Sequence, residues 1–275
     1  MIRFAKAHAY GNDFLYVDHA LVGDAQTVPL AREMCDRHTG VGADGLILYT
    51  RRADGATMTL LNADGSAAEV SGNGLRGLAA LLLRDDDSAG GIVRIRTAAG
   101  DKTLARTGRD GTRQTFRAEM GPPAGLRQVS LMAGGETLTA VALNMGNPQL
   151  VLLGPLPDEE RFRRLGAAIE HHTMFPDGTN VEFADVETPA RVRIVIWERG
   201  CGPTQSSGTG SCASAVAAGA YGGASRDIEV VAPGGAQRVE WLEDGVYLTG
   251  WAEVVCDGEW LRPLPPFTFR VPSIV

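Results

Sequence analysis

The amino-acid sequence predicts an α+β fold made of two similar halves. Three observations support this prediction. Short strand patterns outnumber helical patterns, glycine is abundant at 35 of 275 residues, and one loop-plus-helix motif occurs twice. A chain of this length is expected to hold about two domains and to bury a sizeable core.

Eight strands are predicted from short apolar and β-branched runs. They cover residues 14–17, 46–49, 57–61, 92–95, 140–143, 150–153, 192–197 and 228–231. Four helices are predicted at residues 29–37, 74–84, 159–171 and 211–221. The first helix has Thr27 as its predicted cap and stops before Gly40.

The repeated motif is an S-G-x-G loop that opens a helix, at residues 71–74 and again at 207–210. A second repeated pattern, an asparagine followed by a strand that contains phenylalanine, occurs at residues 12–14 and 180–183. The repeats indicate two related domains, with coincidence in a glycine-rich chain as the alternative. We expect one domain at 1–117 and the other at 118–262, with the tail at 263–275 returning to the first.

Composition and charge exclude several classes of protein. The net charge of −7 and the absence of a long basic run argue against nucleic acid and anionic membranes as partners. No apolar window reaches the roughly 18–20 residues of a membrane span, and no signal peptide is visible, so a cytoplasmic location is expected. Four cysteines without a CxxC pair predict neither a disulfide framework nor a structural zinc site.

One glycine-rich segment has the glycine spacing of a dinucleotide-binding fingerprint but not its structural context. Residues 40–45 match GxGxxG, but they follow a helical pattern and open a strand, which is the reverse of the fingerprint's context. A nicotinamide cofactor is therefore not expected. The scattered histidines and few lysines predict neither a metal site nor a pyridoxal phosphate site.

The two S-G-x-G loops suggest a site for a small anion. Backbone N–H groups at a helix N-terminus lack internal partners and bind carboxylate or phosphate, and glycine permits close approach. Two such loops could face each other across a cleft and hold one small acid. The alternative is that Ser71 and Ser207 are ordinary capping residues.

Several segments together resemble the diaminopimelate epimerase family, in the family's order and over nearly the whole chain. They are residues 8–14, 35–38 continuing into 40–45, 62–66, 146–148, 179–183, 197–200 and 248–253. The resemblance implies two pseudo-symmetric domains, each a β-barrel-like sheet around a central helix, with the active site in the cleft between them.

The family inverts the α-carbon of diaminopimelate with two cysteines and without a cofactor or a metal. The resemblance implies a small amino-acid substrate, a place in the lysine and peptidoglycan precursor pathway, and a possible homodimer here. The implied substrate-binding frame is intact. It consists of Asn12, Asn62, Gly72, Asn73, Asn147, Asn180, Glu198, Arg199, Gly208 and Thr209.

The chain departs from the family pattern at three positions. The two cysteine positions, which would be catalytic, are Ser71 and Ser207, and Gln149 stands where the family usually has histidine. A serine hydroxyl ionises far less readily than a thiol and needs a neighbouring base. Glu198 is one candidate surrogate; Cys201 and Cys212 are weaker ones.

Three hypotheses follow. The first is epimerisation of LL- to meso-diaminopimelate with Ser71 and Ser207 at the acid/base positions. The second is an isomerase of the same fold that acts on a different small amino or carboxylic acid. The third is a catalytically impaired or non-catalytic amino-acid-binding homologue, including a chain whose cysteines were replaced deliberately, although Gln149 favours natural divergence.

Overall fold

The structure is a computed structural model and describes residues 1–23, 26–68, 70–86 and 90–263. In this part of the chain, seventeen strands form one hydrogen-bonded sheet, accompanied by four α-helices and one 3-10 turn at His19–Leu21. The first nine strands are β1 (Ile2–Ala9), β2 (Asn12–Asp18), β3 (Gly45–Arg52), β4 (Gly55–Asn62), β5 (Ala67–Ala68), β6 (Ile92–Thr97), β7 (Gly100–Asp110), β8 (Arg113–Gly121) and β9 (Ala124–Ala133).

The remaining eight strands lie in the second part of the chain, and the four helices lie between strands. The strands are β10 (Glu136–Asn144), β11 (Pro148–Leu153), β12 (Asn180–Thr188), β13 (Arg191–Glu198), β14 (Gly202–Thr204), β15 (Asp227–Ala232), β16 (Gly235–Trp241) and β17 (Val246–Trp260). The helices are α1 (Thr27–Cys35), α2 (Gly72–Leu82), α3 (Glu159–Glu170) and α4 (Gly208–Tyr221). None of these described helices combines the length and apolarity needed to cross a membrane.

The two halves repeat one order of pairings. Strands β2 and β3 run parallel around α1, and β11 and β12 run parallel around α3. Strand β4 pairs parallel with β6 across α2, just as β13 pairs parallel with β15 across α4. The two halves are therefore pseudo-symmetric, and the duplication predicted from the S-G-x-G loops is confirmed in the fold.

The first half is a closed eight-stranded barrel that borrows its last strand, and the second half is a barrel-like sheet with the same order of pairings. Strand β17 pairs with β16 and β8 and then continues beside β1, so it closes the first barrel. Strand β8 pairs with β7 on one side and with β17 on the other, and the next strand along the chain, β9, pairs with β10 of the second half. Strand β17 is thus shared by the two halves.

The central helices fill the barrels because their residues are apolar or small on every side, with Asn73 and Arg76 of α2 as the larger polar exceptions. All residues from Gly72 to Leu81 of α2 and from Gly208 to Ala218 of α4 are buried. Helix α2 packs against β1, β2, β8 and β17, and α4 packs against β11, β12, β13 and β16. Helices α1 and α3 bury one side each and cover smaller apolar clusters outside the barrels.

All eight predicted strands and all four predicted helices are present. The helix bounds differ by a few residues: the first begins at Thr27 with Gln26 as its cap, and the fourth begins at Gly208 rather than Ser211. Strands with many charged residues, such as β7, were not predicted from the sequence. In β7 the buried residues alternate with more exposed ones. The domain bounds 1–117 and 118–262 stay a prediction, and the tail at 263–275 lies, apart from Pro263, outside the described residues.

Candidate active site

The N-termini of α2 and α4 are built in the same way. Ser71 and Ser207 have extended backbones, and each hydroxyl oxygen accepts a hydrogen bond from the third N–H group that follows it. The N–H of Gly74 lies 3.1 Å from Ser71 Oγ, and the N–H of Gly210 lies 3.1 Å from Ser207 Oγ. Both serines therefore cap helices, and their hydroxyl protons remain available for other contacts.

The two helix N-termini meet backbone to backbone. A Cβ atom added to Gly72 would lie 3.0 Å from the Cα of Gly208, and one added to Gly208 would lie 2.8 Å from the Cα of Gly72. Only glycine at both positions permits this approach. The positive ends of two helix dipoles therefore converge on one region between the barrels.

A cavity of about 900 Å³ opens beside this contact and is walled by both halves of the chain. Its volume lies in the range of pockets that hold small molecules. Seven of the predicted site residues contribute to its wall: Asn12, Asn62, Ser71, Asn147, Asn180, Glu198 and Arg199. Carboxylates, arginines and amides alternate around it, which suits a ligand that carries both ammonium and carboxylate groups.

The other predicted site residues lie behind the cavity wall. Ser207 is 3% exposed, and Thr209 and Asn73 are buried next to it at the helix N-termini. Gly72 and Gly208 form the buried contact between the helices. The two serines are therefore not equivalent, because Ser71 faces the cavity while Ser207 is covered.

The asparagine side chains are held by the protein itself. Asn12 donates to Asp44 Oδ2 at 2.7 Å, and Asn180 donates to the carbonyl oxygen of Pro148 at 3.0 Å. The Asn180 Oδ1 also accepts the N–H of Arg199. Because these bonds fix the amides before any ligand arrives, the wall is pre-organised.

Glu198 is a titratable group beside the Ser207 hydroxyl. Its burial raises the pKa of the carboxyl to about 7, against the opposing effect of the nearby hydroxyls of Ser207 and Thr204, and the charge of Asp44 adds to the rise. A carboxyl with this pKa exists in both protonation states near neutral pH. That property suits a general acid or base.

A second carboxyl, that of Glu182, lies deeper in the same barrel. It is 0% exposed, and in the described structure neither of its oxygens has a hydrogen-bond partner. Burial raises the pKa of Glu182 well above its ordinary value, and the charge of Glu198 raises it further. A Cβ atom added to Gly210 would lie 2.6 Å from Glu182 Oε1, so the carboxyl packs against the first turn of α4.

Gln149 occupies a buried position beside the predicted frame. Its Nε2 donates to Asn147 Oδ1 at 2.6 Å, and the Nδ2 of Asn147 lies 3.4 Å from Thr209 Oγ1. The glutamine thus fixes the orientation of the Asn147 amide and contributes no titratable group at this position.

Sequence reasoning missed the residues that hold the site together. Glu170 accepts hydrogen bonds from Trp197 Nε1 and from the N–H of Gly200, and so anchors the turn that carries Glu198 and Arg199. Its position at the end of a predicted helix gave no signal of this role. In the described part of the chain, no group of three histidine, cysteine, aspartate or glutamate side chains is arranged to hold a metal ion.

Two pseudo-symmetric halves, each with a serine-capped helix N-terminus at their junction, define a fold class that the chain shares with racemases and epimerases of known structure. The sequence profile of the family described as diaminopimelate epimerase matches residues 4–125 and 141–255. The chain belongs to the diaminopimelate epimerase family.

Individual relatives agree with this assignment, and a solved structure shares the fold. A diaminopimelate epimerase of Desulforudis audaxviator (strain MP104C) is 40% identical over 95% of this chain and 100% of the relative. One of Desulfitobacterium hafniense (strain DSM 10664 / DCB-2) is 38% identical over 94% of this chain and 97% of the relative. The crystal structure of a probable proline racemase from Agrobacterium radiobacter K84, with bound carbonate, shares the fold at a TM-score of 0.76 and 18% identity, covering 97% of this chain and 95% of the other.

Proposed function

We propose that this chain converts LL-diaminopimelate to meso-diaminopimelate by moving the α-proton between the two faces of one carbon, without a cofactor. The family assignment supports the substrate. The cavity wall supports it as well, because its pre-organised amides and its arginines suit an amino acid with two charged ends.

The observation that carries the proposal is the position of Glu198 beside Ser207, with a pKa of about 7. A hydroxyl alone is too weak a base to remove an α-proton, and Ser207 lies behind the cavity wall, whereas the Glu198 carboxyl lines the cavity. The α-carbon–hydrogen bond therefore breaks with its proton going to the Glu198 carboxylate, and the Ser207 hydroxyl beside it stabilises that carboxylate.

The opposite face is served by Ser71, which lines the cavity. Its hydroxyl proton passes to the α-carbon as the new bond forms. A water molecule then protonates the Ser71 oxygen, and the hydroxide that remains takes the proton held by Glu198, so that both groups return to their starting states. The N-termini of α2 and α4 face the substrate carboxylate and stabilise the negative charge that develops on it. Serine in place of a thiol on both faces makes the reaction slower by several orders of magnitude.

The same proposal gives the reaction a biological setting. The product, meso-diaminopimelate, is a precursor of lysine and peptidoglycan, so we place the reaction in the cytoplasm. A homodimer is part of the proposal, by analogy with the family. Neither nucleic acid nor a membrane is proposed as a partner, since the net charge of −7 favours neither.

Proton NMR in D₂O with LL- and meso-diaminopimelate tests the proposal directly. Loss of the α-proton signal in the unmodified protein is the expected result. A Ser71→Cys/Ser207→Cys double variant runs beside it and should exchange the same proton much faster, because a thiolate forms more readily at a helix N-terminus.

The two samples separate the alternatives. Exchange in the double variant alone would mean that the pocket accepts diaminopimelate but the native chain is a binding protein. Exchange in neither sample would reject diaminopimelate and direct the search to other small acids.

A further inference from the structure

The strongest feature outside the proposed chemistry is Arg76, a fully buried arginine in the first half of α2. Among the described residues, no carboxylate lies within ion-pair distance of it, and its Nε and Nη1 atoms have no hydrogen-bond partner. Burial lowers the pKa of this guanidinium, but arginine stays charged in proteins. An unpaired buried charge is costly, and an apolar residue would be more stable there.

The one nitrogen of Arg76 that is engaged makes two contacts. Nη2 donates to Asn73 Oδ1, one turn back along α2, and to Gln237 Oε1 on β16 at 2.8 Å. The first contact orients the Asn73 amide, so that its Nδ2 points away from Arg76. The second contact joins α2 to a strand of the other barrel.

From these two residues the network continues into the loop before α4. Asn73 Nδ2 donates to the carbonyl oxygen of Ser206 at 3.1 Å, and Gln237 Nε2 donates to Ser206 Oγ at 3.1 Å and to Ser211 Oγ at 3.3 Å. The Ser211 hydroxyl in turn donates to the carbonyl oxygen of Ser207 at 2.8 Å. All these contacts are buried.

The network therefore spans the junction where the two helix N-termini meet. It starts on the helix that Ser71 caps and ends on the backbone of Ser207 itself. The backbone contact between Gly72 and Gly208 lies at the same junction and, having no side chains, cannot set a register by itself. A planar guanidinium can hold two acceptors in a fixed direction, which an ammonium or an amide cannot do equally well.

We propose that Arg76 is a positioning residue that, together with Asn73 and Gln237, holds the Ser71 and Ser207 loops in the register needed for proton transfer on both faces. This inference rests on the proposed function. Arg76 does not line the cavity and does not touch the substrate. It acts through the backbone of the two loops.

The test compares Arg76→Met with Arg106→Met. Arg106 is a matched control, since it is also a buried arginine, 4% exposed, but donates to Leu83 O and Gln114 Oε1 far from both loops. We expect Arg76→Met to slow α-proton exchange about 100-fold from each diaminopimelate isomer measured separately, with KM unchanged, because ångström-scale misplacement has that effect. Arg106→Met should lose stability and keep its exchange rates.

A second readout does not depend on the reaction. Hydrogen exchange of the Gly74 and Gly210 amides, which the two serines cap, should accelerate in Arg76→Met and stay slow in Arg106→Met. If Arg76→Met fails to fold, Gln237→Leu breaks the network from its other end and is measured in the same way. Guanidinium ion should restore exchange of substrate protons in Arg76→Ala, whereas sodium ion should not.

Two results would overturn the inference. One is an Arg76→Met protein that folds and keeps wild-type exchange from both isomers; the other is a loss confined to one isomer and one loop. If the unmodified protein shows no substrate exchange, the same comparison is made in the Ser71→Cys/Ser207→Cys protein. If that protein is also inactive, the proposed function fails, while the Gly74 and Gly210 amides still decide whether Arg76 holds both loops.

Discussion

At the scale of single residues, the two serines share a backbone role and differ in their surroundings. Both accept a capping hydrogen bond of 3.1 Å from a glycine N–H. Ser207 has a carboxyl with a raised pKa beside it, that of Glu198, whereas Ser71 lines the cavity. The proposed reaction is therefore asymmetric, with a base assembled on one face and a proton donor on the other.

The first prediction concerns the pH dependence of α-proton exchange. Glu198 must be ionised to act as the base, and its pKa is about 7. The rate should therefore fall about tenfold per pH unit below that value and level off above it. Glu198→Gln should lose most of the activity together with this dependence.

The measurement is the initial rate of exchange between pH 5 and 9. Glu119→Gln, which removes an exposed carboxyl on β8, serves as the control and should follow the wild-type curve. If the exchange rate of Glu198→Gln still falls at low pH as that of the wild type does, another group supplies the base.

The second prediction concerns stability. The folded-state pKa of Glu182 is raised above its unfolded value, so the folded protein keeps a proton that the unfolded chain releases. The contribution of Glu182 to stability is thus fully present below an ordinary glutamate pKa. It declines as the pH rises toward the folded-state pKa, by up to about 1.4 kcal/mol per pH unit.

Glu182→Gln cannot ionise and should flatten this decline. Urea denaturation at pH 5 and pH 8 measures the effect as the difference in unfolding free energy between the two values. That difference should be smaller in the variant than in the wild type. If the unfolding free energy changes equally between pH 5 and pH 8 in the two proteins, Glu182 is ionised in the folded state.

At the scale of elements, α2 and α4 show which parts of the fold the sequence can predict. An S-G-x-G turn followed by an apolar run is a local signal, and it predicted both helices, although they begin two and three residues earlier than the predicted starts at 74 and 211, at Gly72 and Gly208. The β7–β8 hairpin was not predicted because its charged residues interrupt the alternation of apolar and polar side chains that marks a strand. Its inward side chains are recognisable only once the barrel exists.

The third prediction compares two glycines of α4. Gly208→Ala should push the two helix N-termini apart, because its Cβ would lie 2.8 Å from the Cα of Gly72. Gly219→Ala places a Cβ at an ordinary 3.5 Å from Trp241 and improves helix propensity. We therefore expect Gly208→Ala to lose at least about 1 kcal/mol of stability and most of the activity. Gly219→Ala should gain about 0.5–1 kcal/mol.

Thermal unfolding and α-proton exchange of both variants provide the measurement. Equal melting temperatures and equal exchange rates in the two variants would argue against a tight junction between the helices. A stable but inactive Gly208→Ala would be the clearest sign that the spacing of the loops matters to the reaction.

At the scale of the whole molecule, the site was only partly predictable. The sequence identified the residues of the cavity wall, such as Asn62 and Arg199, through short motifs. It could not show that Ser207 is covered while Ser71 faces the cavity, because both sit in the same local motif. Contacts such as that of Arg76 with Gln237 join residues 161 positions apart, and they depend on how the two barrels meet.

The fourth prediction is that the chain unfolds in one step. Strand β17 pairs with β16 of the second half and with β8 and β1 of the first half, so the first barrel closes only with a strand that is also part of the second half. Calorimetry should show a single transition whose calorimetric and van't Hoff enthalpies agree. Two separate transitions would mean that the barrels are independent.

The shared strand also has a consequence for synthesis on the ribosome. Residues up to Gly121 supply seven strands of the first barrel, but the eighth, β17, ends at Trp260, close to the end of the chain. At about 5–20 residues per second, the emerging first half waits on the order of 10–30 s with two unpaired strand edges. We expect the nascent chain to need chaperone protection during that interval, and a stall before β17 to yield an aggregating product.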